Sequence, residues 1–100
     1  MYKHEFPDYD GKLIIPKGFK DLSYHNDTMP RAGKMVEFDD TVIILSIWQD
    51  YINVDFREYV DSKRFCLQLD VNGIYIYEFE TDNWSEIETE LKKFDTWDFR

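Results

Sequence analysis

The sequence predicts an α+β domain: an antiparallel sheet of about four to six strands, with a C-terminal α-helix packed on one face. Three features carry this. A ten-residue strand pattern, TVIILSIWQD, spans Thr41–Asp50 and holds the longest apolar run, Val42–Leu45. An Asn72-Gly73 pair divides two runs rich in β-branched and aromatic residues. Near the end, apolar residues switch from alternation to helical spacing. One hundred residues fit one domain with one core, and 43% hydrophobic residues are enough to fold without staples.

In chain order, residues 1–11 are mixed, with Pro7 and Asp10-Gly11 marking a turn. Leu13-Ile14-Ile15, stopped by Pro16, suits an edge strand, where proline is tolerated. The polar stretch from Asp21 to Lys34 is expected to be the longest loop. Met35–Phe38 forms a short strand turned by Asp39-Asp40. Thr41–Asp50 is apolar on both faces, Val42, Ile44 and Trp48 on one and Ile43, Leu45 and Ile47 on the other. That predicts a central strand covered on both sides. Residues 51–61 fit either a strand or a helical turn.

Asn72-Gly73 is the preferred pair for a two-residue type I′ hairpin. Regular pairing sets Val71 opposite Ile74, Leu69 opposite Ile76 and Leu67 opposite Glu78. Phe65, Leu67, Leu69, Val71, Ile74 and Ile76 then share the core face. Cys66, Gln68, Asp70, Tyr75, Tyr77 and Phe79 share the other, which lies under a helix or meets a partner. The helix is expected at Asn83–Phe94. Trp84, Ile87, Leu91 and Phe94 form its apolar stripe. Asn83 is placed to cap it, with Glu86 completing an approximate capping box. Trp48 and Trp84 are assigned to packing, and Trp97, in the tail, to an exposed position.

Charge is distributed unevenly. Residues 1–36 hold five acids and six bases, while the remainder holds 16 acids and six bases, interleaved with Tyr, Trp and Phe. The formal net charge of −9 repels nucleic acid and anionic lipid. Acid mixed with aromatics suits a surface that grips a basic protein. The N-terminus has no apolar signal region, and no apolar run is long enough to span a bilayer. The lone Cys66 excludes an internal disulfide. Together these predict a cytoplasmic monomer or weak dimer.

Catalytic chemistry has no sequence support. His4 and His25 lack the spacing of a metal pair, so no metal or cofactor is expected. Cys66 lies in a strand pattern that suits inert packing better than nucleophilic chemistry. The four glycines are scattered and form no phosphate-cradling loop. Partner binding is assigned instead to Asp50, Tyr51, Asp55, Glu58, Tyr59 and Asp61, where acids and aromatics follow the strongest strand. The acidic helix face, Glu86, Glu88 and Glu90, is the rival.

Several segments resemble the small acidic bacterial immunity proteins, cognate inhibitors of contact-dependent growth-inhibition and other polymorphic toxins. They are YHND..P at Tyr24–Pro30, IWQDY at Ile47–Tyr51, the Arg57-Glu58 and Arg64-Phe65 pairs, and the closing DNWSEIETELKKF. The likeness is to the class as a whole and transfers no binding residue. It implies a small, non-enzymatic α+β protein that blocks one toxin, often a nuclease with a basic cleft. Two other classes compete with it. One is a nucleic-acid mimic that occupies a DNA- or RNA-binding protein, and the other is a minor enzyme or ligand binder with a deep pocket.

Overall fold

The computed structural model describes residues 2–94; Trp97 lies outside the described residues. Five strands form one antiparallel sheet in sequence order: β1 (Lys20–Asp21), β2 (Arg31–Phe38), β3 (Thr41–Gln49), β4 (Phe65–Val71) and β5 (Ile74–Thr81). A short helix, α1 (Tyr2–Glu5), precedes the sheet, and α2 (Trp84–Leu91) follows it, continuing as a 3₁₀ turn over Lys92–Phe94. The expected α+β architecture is present.

The core lies on one face of the sheet. Leu45, Ile47, Leu67 and Leu69 alternate inward from β3 and β4, Ala32 joins them from β2, and Ile87 and Phe94 close over them. Ring edges complete the contact. Trp84 meets Phe65 edge-on at 5.3 Å, and Phe94 meets Tyr77 at 5.5 Å. Asn83 caps α2 by accepting the Ser85 N–H at 3.2 Å. The second half of the expected capping box is rerouted. Glu86 takes the Thr81 hydroxyl, and Thr81 Oγ1 accepts the Asn83 N–H at 3.0 Å. The cap therefore runs through the last residue of β5 and fixes the helix to the sheet.

The hairpin turn forms as expected. Asn72 (φ 52°) and Gly73 (φ 85°) both adopt the left-handed backbone of a type I′ turn. Asp70 Oδ1 accepts the Gly73 N–H at 2.7 Å. The pairing beyond Tyr75 differs from regular register. Asp70 pairs with Tyr75, but Leu69 pairs with Tyr77 and Leu67 with Phe79, leaving Ile76 as the extra residue of a bulge. One added residue inverts the faces of everything after it. Tyr77, Phe79 and Thr81 turn inward, Glu78 and Glu80 turn outward, and Ile76 is exposed. Regular pairing would have set Glu78 opposite fully buried Leu67, and carboxylate desolvation forbids that.

Three other expectations are corrected. Leu13–Ile15 is not a strand. Leu13 is buried, and Ile14 bonds the side chain of Gln49, its N–H to Oε1 at 2.8 Å and its carbonyl from Nε2 at 2.7 Å. The fully buried glutamine thus supplies the amide pairing that another strand would have supplied. The expected 21–34 loop ends at Pro30, because β2 starts at Arg31 and pairs with β1. The charged ends of Arg31 and Lys34 lie over rings, Arg31 above Trp48 at 4.8 Å and Lys34 above Phe19 at 4.9 Å, so their stems serve as strand side chains. β3 is central, as expected, but only one of its faces is sealed. Trp48 is half-buried on the side opposite α2, which no helix covers among the described residues. No described helix is long and apolar enough to cross a membrane.

Candidate functional site: the open sheet face and the 51–62 segment

The segment between β3 and β4 is neither strand nor regular helix. Its one element is a 3₁₀ turn over Val54–Phe56, capped by Asn53, which accepts the Asp55 N–H at 3.0 Å. Side chains fix its shape. Arg57 donates from Nε to the Tyr51 carbonyl at 2.7 Å, from Nη1 to Ser62 at 2.7 Å and from Nη2 to Ile52 at 3.3 Å. One guanidinium thus ties together both ends of the loop. From outside, the Asp10 carboxylate accepts the N–H groups of Ile52 (2.8 Å) and Asn53 (2.7 Å). Desolvation raises the Asp10 pKa, but these two backbone hydrogen bonds, with Asp10's own backbone N–H and the Arg64 charge, together outweigh it and hold the group below its ordinary value.

What this frame presents is apolar. Val60 is 79% exposed, Tyr59 65%, Ile52 58% and Phe56 57%. Asp55, Glu58 and Asp61 lie among them in the segment, exposed and without an ion pair among the described residues. Exposed apolar side chains interspersed with acids on a hydrogen-bonded loop are the composition of a protein-binding patch.

The six residues singled out from the sequence divide in two. Asp55, Glu58, Tyr59 and Asp61 are exposed, as a contact surface requires. Asp50 is 2% exposed, and its carboxylate accepts the Tyr51 N–H and the Ser62 hydroxyl, both at 2.8 Å. It organises the loop from beneath. Tyr51 is half-buried between Tyr9 and Phe56, with centroids at 5.2 and 6.1 Å. Burial, and then Asp8, Asp10 and Asp50, raise its pKa. Tyr51 is a pillar of the loop. Sequence reasoning overlooked Ile52, Val54, Phe56 and Val60, whose alternation resembles that of a buried strand. It also overlooked the clamp role of Arg57, which nothing in its spacing reveals.

The rival helix face is largely occupied by internal bonds. Glu86 serves the Thr81 cap, and Glu90 pairs with Lys93 at 2.5 Å. The Lys93 interaction lowers the Glu90 pKa against its desolvation. Beside Glu90, burial raises the Tyr77 hydroxyl to about 12.

A second feature adjoins the loop. The uncovered sheet face forms a groove of about 410 Å³, whose lining includes Trp48, Tyr59, Cys66, Tyr75, Glu78 and Glu80. Its floor is a hydrogen-bond chain. Trp48 Nε1 donates to Gln68 Oε1 at 2.7 Å, and Gln68 Nε2 donates to Glu78 Oε1 at 2.7 Å. Asp50 and Tyr59 line the same groove, so loop and face form one continuous surface. Burial raises the Cys66 thiol pKa, and Glu78 and Glu80 raise it further, which keeps the sulfur protonated and a poor nucleophile.

No protein-family model, curated protein or solved structure matches this chain.

Proposed function

We propose that this chain is a non-enzymatic immunity protein that binds and neutralises a basic bacterial toxin domain. The observation behind this reading is the 51–62 segment, which offers exposed Ile52, Phe56, Tyr59 and Val60 from a loop already locked by Arg57 and Asp10. Ordering a loop on binding costs affinity, and a preorganised loop avoids that cost. Phe56 and Tyr59 act as buried anchors in the complex. Asp55, Glu58 and Asp61 steer a cationic partner and exclude acidic ones.

Affinity capture with the full chain, followed by binding kinetics on the captured protein, tests this. The expected partner is basic and toxic when expressed without this chain. Phe56→Ala and Tyr59→Ala should raise the off-rate by about tenfold or more. Asp55→Asn/Glu58→Gln should slow association and flatten its salt dependence. Glu86→Gln/Glu90→Gln should change neither. If only the helix pair weakens binding, the loop is the wrong site. If the captured protein is a non-toxic DNA- or RNA-binding protein that nucleic acid displaces, the chain is a nucleic-acid mimic instead.

A further inference from the structure

Among the described residues no ion pair reaches the Glu78 or Glu80 carboxylate, although Lys63 lines the same groove. Glu78 and Glu80 stand opposite Gln68 and Cys66 on β4, and one oxygen of each lies within 4.8 Å of the other and of Cys66 Sγ. The Glu78 carboxylate accepts from the Gln68 amide and the Cys66 thiol, whereas the Glu80 carboxylate has no hydrogen bond or ion pair among the described residues. Asp50 adds a buried carboxylate to the same groove, hydrogen-bonded but likewise without an ion pair.

Neighbouring cations are already engaged. Lys63 pairs with Asp82 at 3.6 Å. Arg31 lies over Trp48 and donates to Ser46 Oγ at 3.1 Å. Like charges held this close repel one another, and an incoming cation relieves them. The walls add a preference. Tyr59 and Tyr75 are 65% and 61% exposed and line the groove with their rings unstacked among the described residues.

We propose that this groove receives an arginine side chain from the protein partner, its guanidinium lying against Tyr75 and forking onto Glu78 and Glu80. This rests on the protein-binding reading above and specifies which part of the partner's basic surface is recognised here. A guanidinium is planar, presents several donors in a fixed fork and stacks on aromatic faces. An ammonium offers a point charge and gains less from the ring. A thiophilic ion such as zinc would need the Cys66 thiolate, and burial together with the two glutamates opposes loss of that proton. Arg31 above Trp48 already displays the same pairing of guanidinium, ring and oxygen acceptor within the chain.

The test needs no identified partner. The labelled full chain is titrated by NMR with an acetylated Gly-Arg-Gly amide, its lysine counterpart and its neutral citrulline counterpart. The arginine peptide should shift the Trp48 indole N–H and the Cys66 and Glu80 amides saturably, with a dissociation constant on the order of 1–10 mM. The lysine peptide should bind about threefold or more weakly, and the citrulline peptide should produce no saturable shift. Glu78→Gln/Glu80→Gln should abolish the response, and Glu86→Gln/Glu88→Gln on α2 should leave it intact. Equal shifts with citrulline, persistence in the Glu78→Gln/Glu80→Gln chain, or shifts centred on α2 would overturn the proposal. So would a tighter zinc response that vanishes in Cys66→Ala, which would make this a metal site. Failure here is separable from failure of the functional reading. A captured toxin that ignores the groove variants but needs Phe56 removes the arginine pocket and keeps the immunity function. Specific arginine binding without any toxin partner does the reverse.

Discussion

The two faces of the sheet are built from the same strands and have opposite chemistry. On the core face, Leu45, Ile47, Leu67 and Leu69 are almost wholly removed from water. Directly behind them, Ser46, Trp48, Cys66, Gln68 and Glu78 form a partly open face that includes a continuous line of hydrogen bonds. Strand alternation makes this division possible, since neighbouring residues point to opposite sides. The first face supplies stability through apolar burial. The second is free to be polar because it contributes little to that burial, and its groups are therefore available to a partner. Substitutions should separate accordingly, stability responding on one side and binding on the other.

The largest effect should come from disturbing which residues occupy which face. Deleting Ile76 removes the bulge residue and leaves regular pairing with Tyr77 and Phe79 still inward. Deleting Glu78 instead turns Phe79 and Thr81 outward. The first chain should melt cooperatively near the parent temperature, and the second should show no cooperative transition by circular dichroism. Next in size, Leu67→Ala empties a fully buried position and should cost about 2–5 kcal/mol in denaturant unfolding. Gly73→Val should cost about 1–2 kcal/mol. A Cβ there meets nothing within 4 Å, so the loss comes from φ +85° alone. Gly73→Asn should accordingly recover most of it.

Smaller effects belong to the open face and the loop. Glu78→Gln/Glu80→Gln should move stability by no more than about 0.5 kcal/mol. The same pair should speed alkylation of Cys66, because it removes two of the influences that hold the thiol protonated. An unchanged alkylation rate would show that burial alone protects the sulfur. The smallest effect is set by pH. Asp10 has a folded pKa below its ordinary 3.8, so its contribution is complete above that value and is lost as pH falls through the folded pKa. Hydrogen exchange at the Ile52 and Asn53 amides should then accelerate at acid pH before the core strands open. Simultaneous loss of protection throughout the sheet would mean that the loop has no independent stability.

Much of the first face was legible in the sequence. Apolar alternation in Thr41–Asp50, the Asn72-Gly73 turn and the helical stripe each follow from local physics. The errors arose where a side chain did the work of a backbone or a residue was added. Gln49 replaces a strand partner for Ile14. No periodicity encodes this, and only a buried amide hints at it. The bulge at Ile76 left a readable trace, since regular pairing put Glu78 against Leu67. The candidate site was half legible. Acids and aromatics in residues 50–61 marked the segment, but Asp50 and Tyr51 support it from below and the apolar residues between them form its surface. The groove was hidden because regular pairing assigns Tyr77 and Phe79, in place of Glu78 and Glu80, to the open face.

The position of the 51–62 segment bears on how the protein can change. It joins two strands that are already hydrogen-bonded partners, β3 and β4. The entropy of closing such a connection grows only logarithmically with its length, so doubling it costs about 0.6 kcal/mol. Insertions, deletions and wholesale substitution there leave the meander and its buried face intact. The 51–62 segment can therefore be rewritten repeatedly on an inherited sheet.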